Sequence, residues 1–230
     1  LTPIKLSAER IRHKYLDLIT GPDAEALDLS TQTIIKQVEV MRDMVNAFSE
    51  YARAPELNLV ETDCNRLIKN VADLYVAHAG RAQIHLNLDE GLPLLKIDAL
   101  RMRQVLHNII RNATEALEDV PEGEVCITTS VGSYKEQSRA VITFEDNGPG
   151  FPGEHLEEIF EPYVTTKPKG TGLGLAIVRK LVEEHGGNVL IDRETGSGAT
   201  IRIYLPMPEI GEEAAEATGE IGVNNKQQHT

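Results

Sequence analysis

Two periodicities meet near Pro55, and a single repeating architecture cannot hold both. Leu1, Ile4, Ala8, Ile11, Tyr15 and Leu18 alternate spacings of three and four, and Ile34, Val38, Met41, Val45, Phe48 and Ala52 do the same. Such stripes are the seams of packed helices. Gly21-Pro22-Asp23 interrupts the chain between them, so residues 1–54 are expected to form a helical hairpin. Two helices enclose little core, so the seam either joins a second copy as a four-helix bundle or packs on the rest of the chain. Pro3 inside the first stripe predicts a kink or a frayed start.

From Pro55 to about residue 208 the pattern alternates. Residues 57–62, 83–88, 124–131, 139–146, 188–192 and 199–205 read as strands, the middle and last pairs as hairpins. Residues 63–78, 99–118 and 173–185 read as helices. Elements of this kind predict an α+β fold, a two-layer α/β sandwich with helices on one face of a mixed sheet. Residues 209–230 carry Glu212, Glu213, Glu216 and Glu220 with almost no large apolar side chain, the composition of a disordered acidic tail.

Candidate chemistry gathers in three places. The strand-like run Val141-Ile142-Thr143-Phe144-Glu145 ends at Asp146-Asn147-Gly148-Pro149-Gly150. A carboxylate there can accept from the exocyclic amine of adenine, and Gly148 and Gly150 let a flat base approach the backbone. Taken alone, the same residues are ordinary turn chemistry. Gly170-Thr171-Gly172-Leu173-Gly174-Leu175 opens a helix, where free N–H groups and the dipole favour phosphate; Lys167 and Lys169 lie just upstream. Asn108 and Asn112 are one helical turn apart and share a face. Neutral amide oxygens suit Mg²⁺ when a triphosphate supplies the charge.

Two other nucleotide motifs fail. Gly148-Pro149-Gly150-Phe151-Pro152-Gly153 has dinucleotide spacing, but Pro149 and Pro152 lack the N–H groups a pyrophosphate needs. No acidic strand end follows about twenty residues on. The Gly-Lys-Ser/Thr of a P-loop is absent.

In this order the motifs resemble the catalytic and ATP-binding core of sensor histidine kinases. Asn108 to Asn112 is similar to the family's N box, Asp146 to Gly150 to its G1 box, Phe160-Glu161-Pro162-Tyr163 to its F box and Gly170 to Leu175 to its G2 box. Gly196-Ser197-Gly198-Ala199-Thr200 is similar to its last glycine turn, and residues 151–169 resemble its ATP lid. The resemblance covers residues 1 to about 206, and its N-terminal Leu1-Thr2-Pro3 is closest to the nitrogen-regulation, NtrY-type branch. It implies the Bergerat type of sandwich over residues 55–208, with residues 1–54 as a dimerisation hairpin truncated at its N-terminus. It implies ATP and Mg²⁺ as ligands, a homodimer, phosphorylation of a hairpin histidine and transfer to the aspartate of a response-regulator receiver domain.

By the same resemblance Asp146 reads adenine, with Gly148, Gly150 and Thr200 around it, and Asn112 holds Mg²⁺ with Asn108 beside it. Gly170, Thr171, Gly172, Leu173, Gly174 and Leu175 cradle the phosphates, while Arg111 and Lys167 add charge. Glu115 stands where many members carry a basic residue. The phosphoacceptor histidine is expected upstream of Leu1, because no histidine present has its context. His13 falls off the apolar stripe, His107 points about a hundred degrees away from Asn108, and His185 looks like a helix C-terminal residue. An ATP-driven clamp of the same superfold, and a nucleotide-binding dimer scaffold without chemistry, are the other classes these motifs admit.

Charge and composition narrow the partners. A net charge of −13 argues against nucleic acid and anionic membrane surfaces. No apolar run of spanning length occurs, so a membrane anchor, common in full-length members, would lie outside this stretch. Cys64 and Cys126 have no metal spacing and read as reduced core thiols of a cytoplasmic domain. Aromatics are only 4% with no Trp, so the core must be aliphatic.

Overall fold

In a computed structural model, residues 1–52, 56–76, 82–151, 156–165, 167, 170–192 and 198–208 are described. The expected lid at residues 151–169 lies partly outside them, and the acidic tail and the 54/55 boundary lie wholly outside.

The hairpin is α1 (Thr2–Tyr15) and α2 (Pro22–Ala52), joined by a 3₁₀ turn at Leu16–Leu18 and by Gly21 with φ +73°. Pro3 stands in the first turn of α1, where its missing N–H costs no hydrogen bond, and the turn is closed by Ile4 N and Lys5 N donating to Leu1 O, so the start is formed rather than frayed. Pro22 likewise starts α2; the break lies before it, at Ile19, which is extended, and at Gly21. The seam buries Ala8, Thr31 and Val38, and Lys5 Nζ meets Glu39 Oε1 at 2.6 Å across it.

The second unit follows the expected order, with one strand the pattern missed. β1 (Val60–Thr62), α3 (Cys64–Val76), β2 (Gln83–Leu88), β3 (Leu95–Ile97), α4 (Ala99–Ala116), β4 (Glu124–Tyr134), β5 (Gln137–Asp146), α5 (Gly174–Glu184), β6 (Asn188–Asp192) and β7 (Ala199–Pro206) run in sequence. The main sheet has the order β2-β4-β5-β7-β6; only β2 and β4 are parallel. β1 and β3 form a separate antiparallel pair. Three residues are too few for a period of two to show, so β3 was illegible, although Leu95 and Ile97 are fully buried. The β4–β5 hairpin is longer than expected because Lys135 and Glu136 turn the chain with φ +50° and +63°. That is the two-residue turn matched to strand twist, here without its usual Asn-Gly.

Helices α3, α4 and α5 cover one sheet face. Ile142 and Phe144 of β5 and Ile201, Ile203 and Leu205 of β7 alternate onto that face and meet Met102, Leu106, Ile110, Val178 and Val182. Cys64 is in this core, and burial pushes its thiol pKa up to about 12. Cys126 is only half-buried, so just one of the two expected core thiols is in the core. Asp98 caps α4 by accepting from Leu100 N and Arg101 N. His185 closes α5: its Nδ1 donates to Leu181 O at 2.6 Å, and its Nε2 accepts from Asp98 N at 3.0 Å. One imidazole thus ties the end of α5 to the start of α4.

Candidate functional site

The carboxylate end is built by strand register. Asp146 lies opposite Ala199, on the helix-covered side of the sheet with Phe144 and Ile201. Its Oδ1 accepts from Gly148 N at 3.0 Å and Ala199 N at 3.3 Å. Oδ2 has no hydrogen-bond partner among the described residues and is an acceptor for a donor entering the pocket. Burial pushes the Asp146 carboxyl above its ordinary pKa, against the pull of the two N–H groups and the charge of Lys167. Asn147 fixes the loop: its Oδ1 accepts from Glu124 N and its Nδ2 donates to Glu122 O.

The G1 glycines serve packing as much as ligand approach. A Cβ on Gly148 would lie 2.9 Å from Asp146 Oδ1 and 3.4 Å from Leu117 Cδ2. Gly150 has φ +73°, and a Cβ there would lie 2.7 Å from Gly198 O. The two glycine turns therefore touch backbone to backbone. Thr200 is one residue past Ala199, opposite Glu145, and so faces away from the Asp146 side chain. The structure does not bring Thr200 to this carboxylate; the backbone of Ala199 takes that place.

The second end joins α4 to the start of α5. A Cβ on Gly174 would lie 3.8 Å from Asn112 Nδ2, 3.9 Å from Arg111 Nη2 and 4.0 Å from Asn108 Oδ1. The free N–H groups of α5 thus open beside two amides and a guanidinium. Asn108 Oδ1 accepts from Arg111 Nη2 at 3.3 Å, while Asn108 Nδ2 is buried without a partner. An orphaned buried donor at a helix N-terminus fits an anion. The amide of Asn112 beside it, which has no hydrogen-bond partner among the described residues, has a neutral oxygen of the kind Mg²⁺ takes.

Leu173 is fully buried and Leu175 is packed on the core, so both can reach a phosphate only through backbone N–H groups. Thr171 Oγ1 accepts from Leu173 N at 3.4 Å. Gly172 has φ +66°, its carbonyl accepts from Tyr163 N at 2.9 Å, and a Cβ there would lie 2.5 Å from Tyr163 C. Tyr163 itself has φ +69°, so the F box is held against the G2 turn in a backbone region few side chains adopt. Gly170 N donates to Lys167 O. Lys167 Nζ lies 2.5 Å from Glu115 Oε2, and Arg111 Nε lies 3.9 Å from Glu115 Oε1. His107 turns to Tyr75, whose hydroxyl donates to His107 O at 3.2 Å; burial and the charges of Arg103 and Arg111 lower its pKa. Sequence reasoning missed Ala199, Tyr163 and Glu115 as partners in this site, because each acts through a contact far along the chain.

Comparison with known proteins gives the same picture. The family model described as "Histidine kinase-, DNA gyrase B-, and HSP90-like ATPase" matches residues 97–209. Nitrogen regulation protein NtrY of Azorhizobium caulinodans is 40% identical over 211 residues, which are 89% of this chain and 27% of NtrY. The chain thus spans about a quarter of that relative's length. Full-length ShkA, solved in complex with AMPPNP, superposes with a TM-score of 0.66 at 28% identity, covering 89% of this chain and 43% of that one. Histidine kinase ThkA, in complex with response regulator protein TrrA, gives a TM-score of 0.66 at 26% identity, covering 90% of this chain and 57% of that one. The catalytic domain of ThkA alone is 30% identical with a TM-score of 0.55, covering 66% of this chain and 96% of that one.

Proposed function

Since the chain belongs to the histidine kinase-, DNA gyrase B- and HSP90-like ATPase family, as a sensor histidine kinase catalytic core, we propose that it binds Mg²⁺-ATP and phosphorylates a hairpin histidine. A response-regulator aspartate then receives the phosphoryl group, and the resemblance to NtrY favours nitrogen regulation as the setting. One observation carries the reading. Asn108, Arg111 and Asn112 converge on the start of α5 at Gly174, and Asp146 stands at the strand end with one carboxylate oxygen unengaged.

Each residue then has a role. Asp146 Oδ2 accepts from the adenine amine, and Gly148 and Gly150 keep the G1 turn closed beneath the base. The N–H groups from Gly170 to Leu175, with Asn108 Nδ2, hold phosphate oxygens. Arg111 and Lys167 offset their charge. Asn112, with Asn108 beside it, supplies neutral donors for Mg²⁺, which when bound neutralises the triphosphate and aligns its terminal group. Thr200 lies on the other face of β7 and takes no part at this carboxylate. The chain's contribution is positioning and charge, the usual content of enzymatic phosphoryl transfer.

The acceptor in this reading is none of the described histidines. His13 is exposed on α1 and followed by Lys14, His107 is engaged with Tyr75, and His185 is buried between two helices. The hairpin supports a homodimer, because Ile4, Ile11, Tyr15, Ile34, Met41 and Val45 stay exposed on it. Among the described residues no helix is long and apolar enough to cross a membrane.

Calorimetry with AMPPNP and Mg²⁺ tests the pocket. Asp146→Asn should weaken binding by about 1.5–3 kcal/mol, the range for losing a charge-assisted hydrogen bond. Equal affinity for ATP and GTP, untouched by that change, would overturn the assignment. Radiolabelled ATP tests the acceptor: residues 1–230 alone should take no acid-labile label, and should label an added chain that carries a complete acceptor motif. Label on residues 1–230 alone would refute the reading, with His13 the first residue to replace.

A further inference from the structure

Asn108, Arg111, Asn112 and Glu115 are spaced three, one and three apart on α4, so they share one face of the helix. That face turns to the start of α5. A carboxylate is out of place on a surface built for a polyanion, unless it has a task there. In this structure it holds Lys167 Nζ at 2.5 Å, and Arg111 approaches its other oxygen at 3.9 Å. Glu115 and Lys167 are joined across 52 residues of sequence, so the pair spans from α4 to the segment before α5. The side chains are 41% and 38% exposed, so solvent screens the pair and an incoming charge can displace it at little cost.

We propose that Glu115 sets the preference between nucleoside triphosphate and diphosphate, by holding Lys167 in the nucleotide-free chain and yielding it to a terminal phosphate. The inference rests on the nucleotide reading above. A triphosphate reaches far enough to take Lys167 from Glu115 and gains its charge. A diphosphate is one group shorter and leaves the pair closed. Glu115 therefore taxes triphosphate binding while it keeps the lysine in place, and removing it should help ATP more than ADP.

A double-mutant cycle reads this directly. Affinities for AMPPNP and ADP, each with Mg²⁺, are measured by calorimetry on the unaltered chain, E115Q, K167M and the double variant. E115Q should tighten AMPPNP binding about two- to fivefold, the scale of an exposed ion pair, and leave ADP nearly unchanged. K167M should weaken AMPPNP and narrow the AMPPNP-to-ADP ratio. In the K167M background E115Q should have no further effect on AMPPNP. An equal gain from E115Q with and without Lys167 would mean simple repulsion of phosphate and would overturn the proposal. So would an equal gain for ADP. Thermal melts of all four proteins separate binding effects from misfolding, which an exposed Glu→Gln change is not expected to cause. An unaltered chain that binds neither nucleotide would overturn the nucleotide reading as well, and is thereby distinguishable.

Discussion

Helix α2 is the longest of the described helices, yet Thr31 and Val38 are its only fully buried side chains among those described. Helix α4 is little more than half as long and hides Met102, Val105, Leu106, Ile109, Ile110 and Ala113. Both carry apolar stripes of similar spacing. The difference is what faces them: α4 lies between a five-stranded sheet and two other helices, whereas α2 packs along α1 and touches α5 over a short stretch only. A stripe in the sequence therefore predicts a buried face, but not which molecule buries it. In the α/β unit the chain covers its own apolar surface. In the hairpin much of that surface stays exposed.

The largest effect expected from this contrast is on the self-contained unit. Ile110→Ala opens a cavity at a fully buried site and should cost about 2–5 kcal/mol, read as a lowered midpoint in thermal or urea denaturation. A loss no greater than that of an exposed site would show that α4 is not the keystone of this core.

Val45→Glu places a charge on the exposed hairpin stripe, where Val45 is 54% accessible. It should shift a concentration series in light scattering towards monomer and leave the melt of the α/β unit where it was. If the unaltered chain is monomeric at high concentration, or if the α/β unit melts earlier, the comparison between the two regions breaks.

Two carboxylates sharpen it within the α/β unit. For Asp98, burial pushes the pKa up, but N–H groups of Arg101, Asn58 and Leu100 outweigh it and hold it below the ordinary 3.8. Its contribution to stability is present above 3.8 and is lost as pH falls through the lower native value. Asp146 has the opposite sign: burial raises it, so any stability from its carboxyl is present below 3.8 and is lost as pH rises through the native value. At neutral pH Asp98→Ala should cost about 0.5–2 kcal/mol, as loss of a helix cap does. Asp146→Asn should slightly raise the melting temperature of the nucleotide-free chain while it weakens nucleotide. Melts at neutral and acid pH check both signs. A destabilised Asp146→Asn would make that carboxylate a structural group.

The smallest effect is expected at the hairpin's own ion pair. Lys5 and Glu39 are 2.6 Å apart but open to solvent, where Coulomb attraction is screened and two flexible side chains lose entropy. Lys5→Met should leave the denaturation midpoint within experimental error at physiological salt. A clear drop would mean that polar contacts, not the apolar stripe, hold the hairpin.

Much of the fold was legible because its signals are local. That Ile142 and Phe144 share one face of their strand, and Ile201 and Ile203 one face of theirs, follows from a period of two in each strand. The helix from Ala99 follows from its apolar stripe. The pocket was legible for a related reason: Asp146 at a strand end, the glycines before α5, and Asn108 and Asn112 one turn apart are short patterns whose chemistry travels with them.

What the sequence determined by itself was the set of chemical groups and the secondary structure that carries them, because period, turn and cap are decided over a few residues. Only the tertiary structure decided which groups face one another. It set Ala199, not Thr200, beside Asp146, since one residue of strand reverses a side chain's direction. It joined Lys167 to Glu115 and His185 to Asp98, pairs separated by 52 and 87 residues. It gave β3 a partner that three residues could not announce. Contacts of that range depend on how the layers stack, and no local pattern in the chain encodes the stacking.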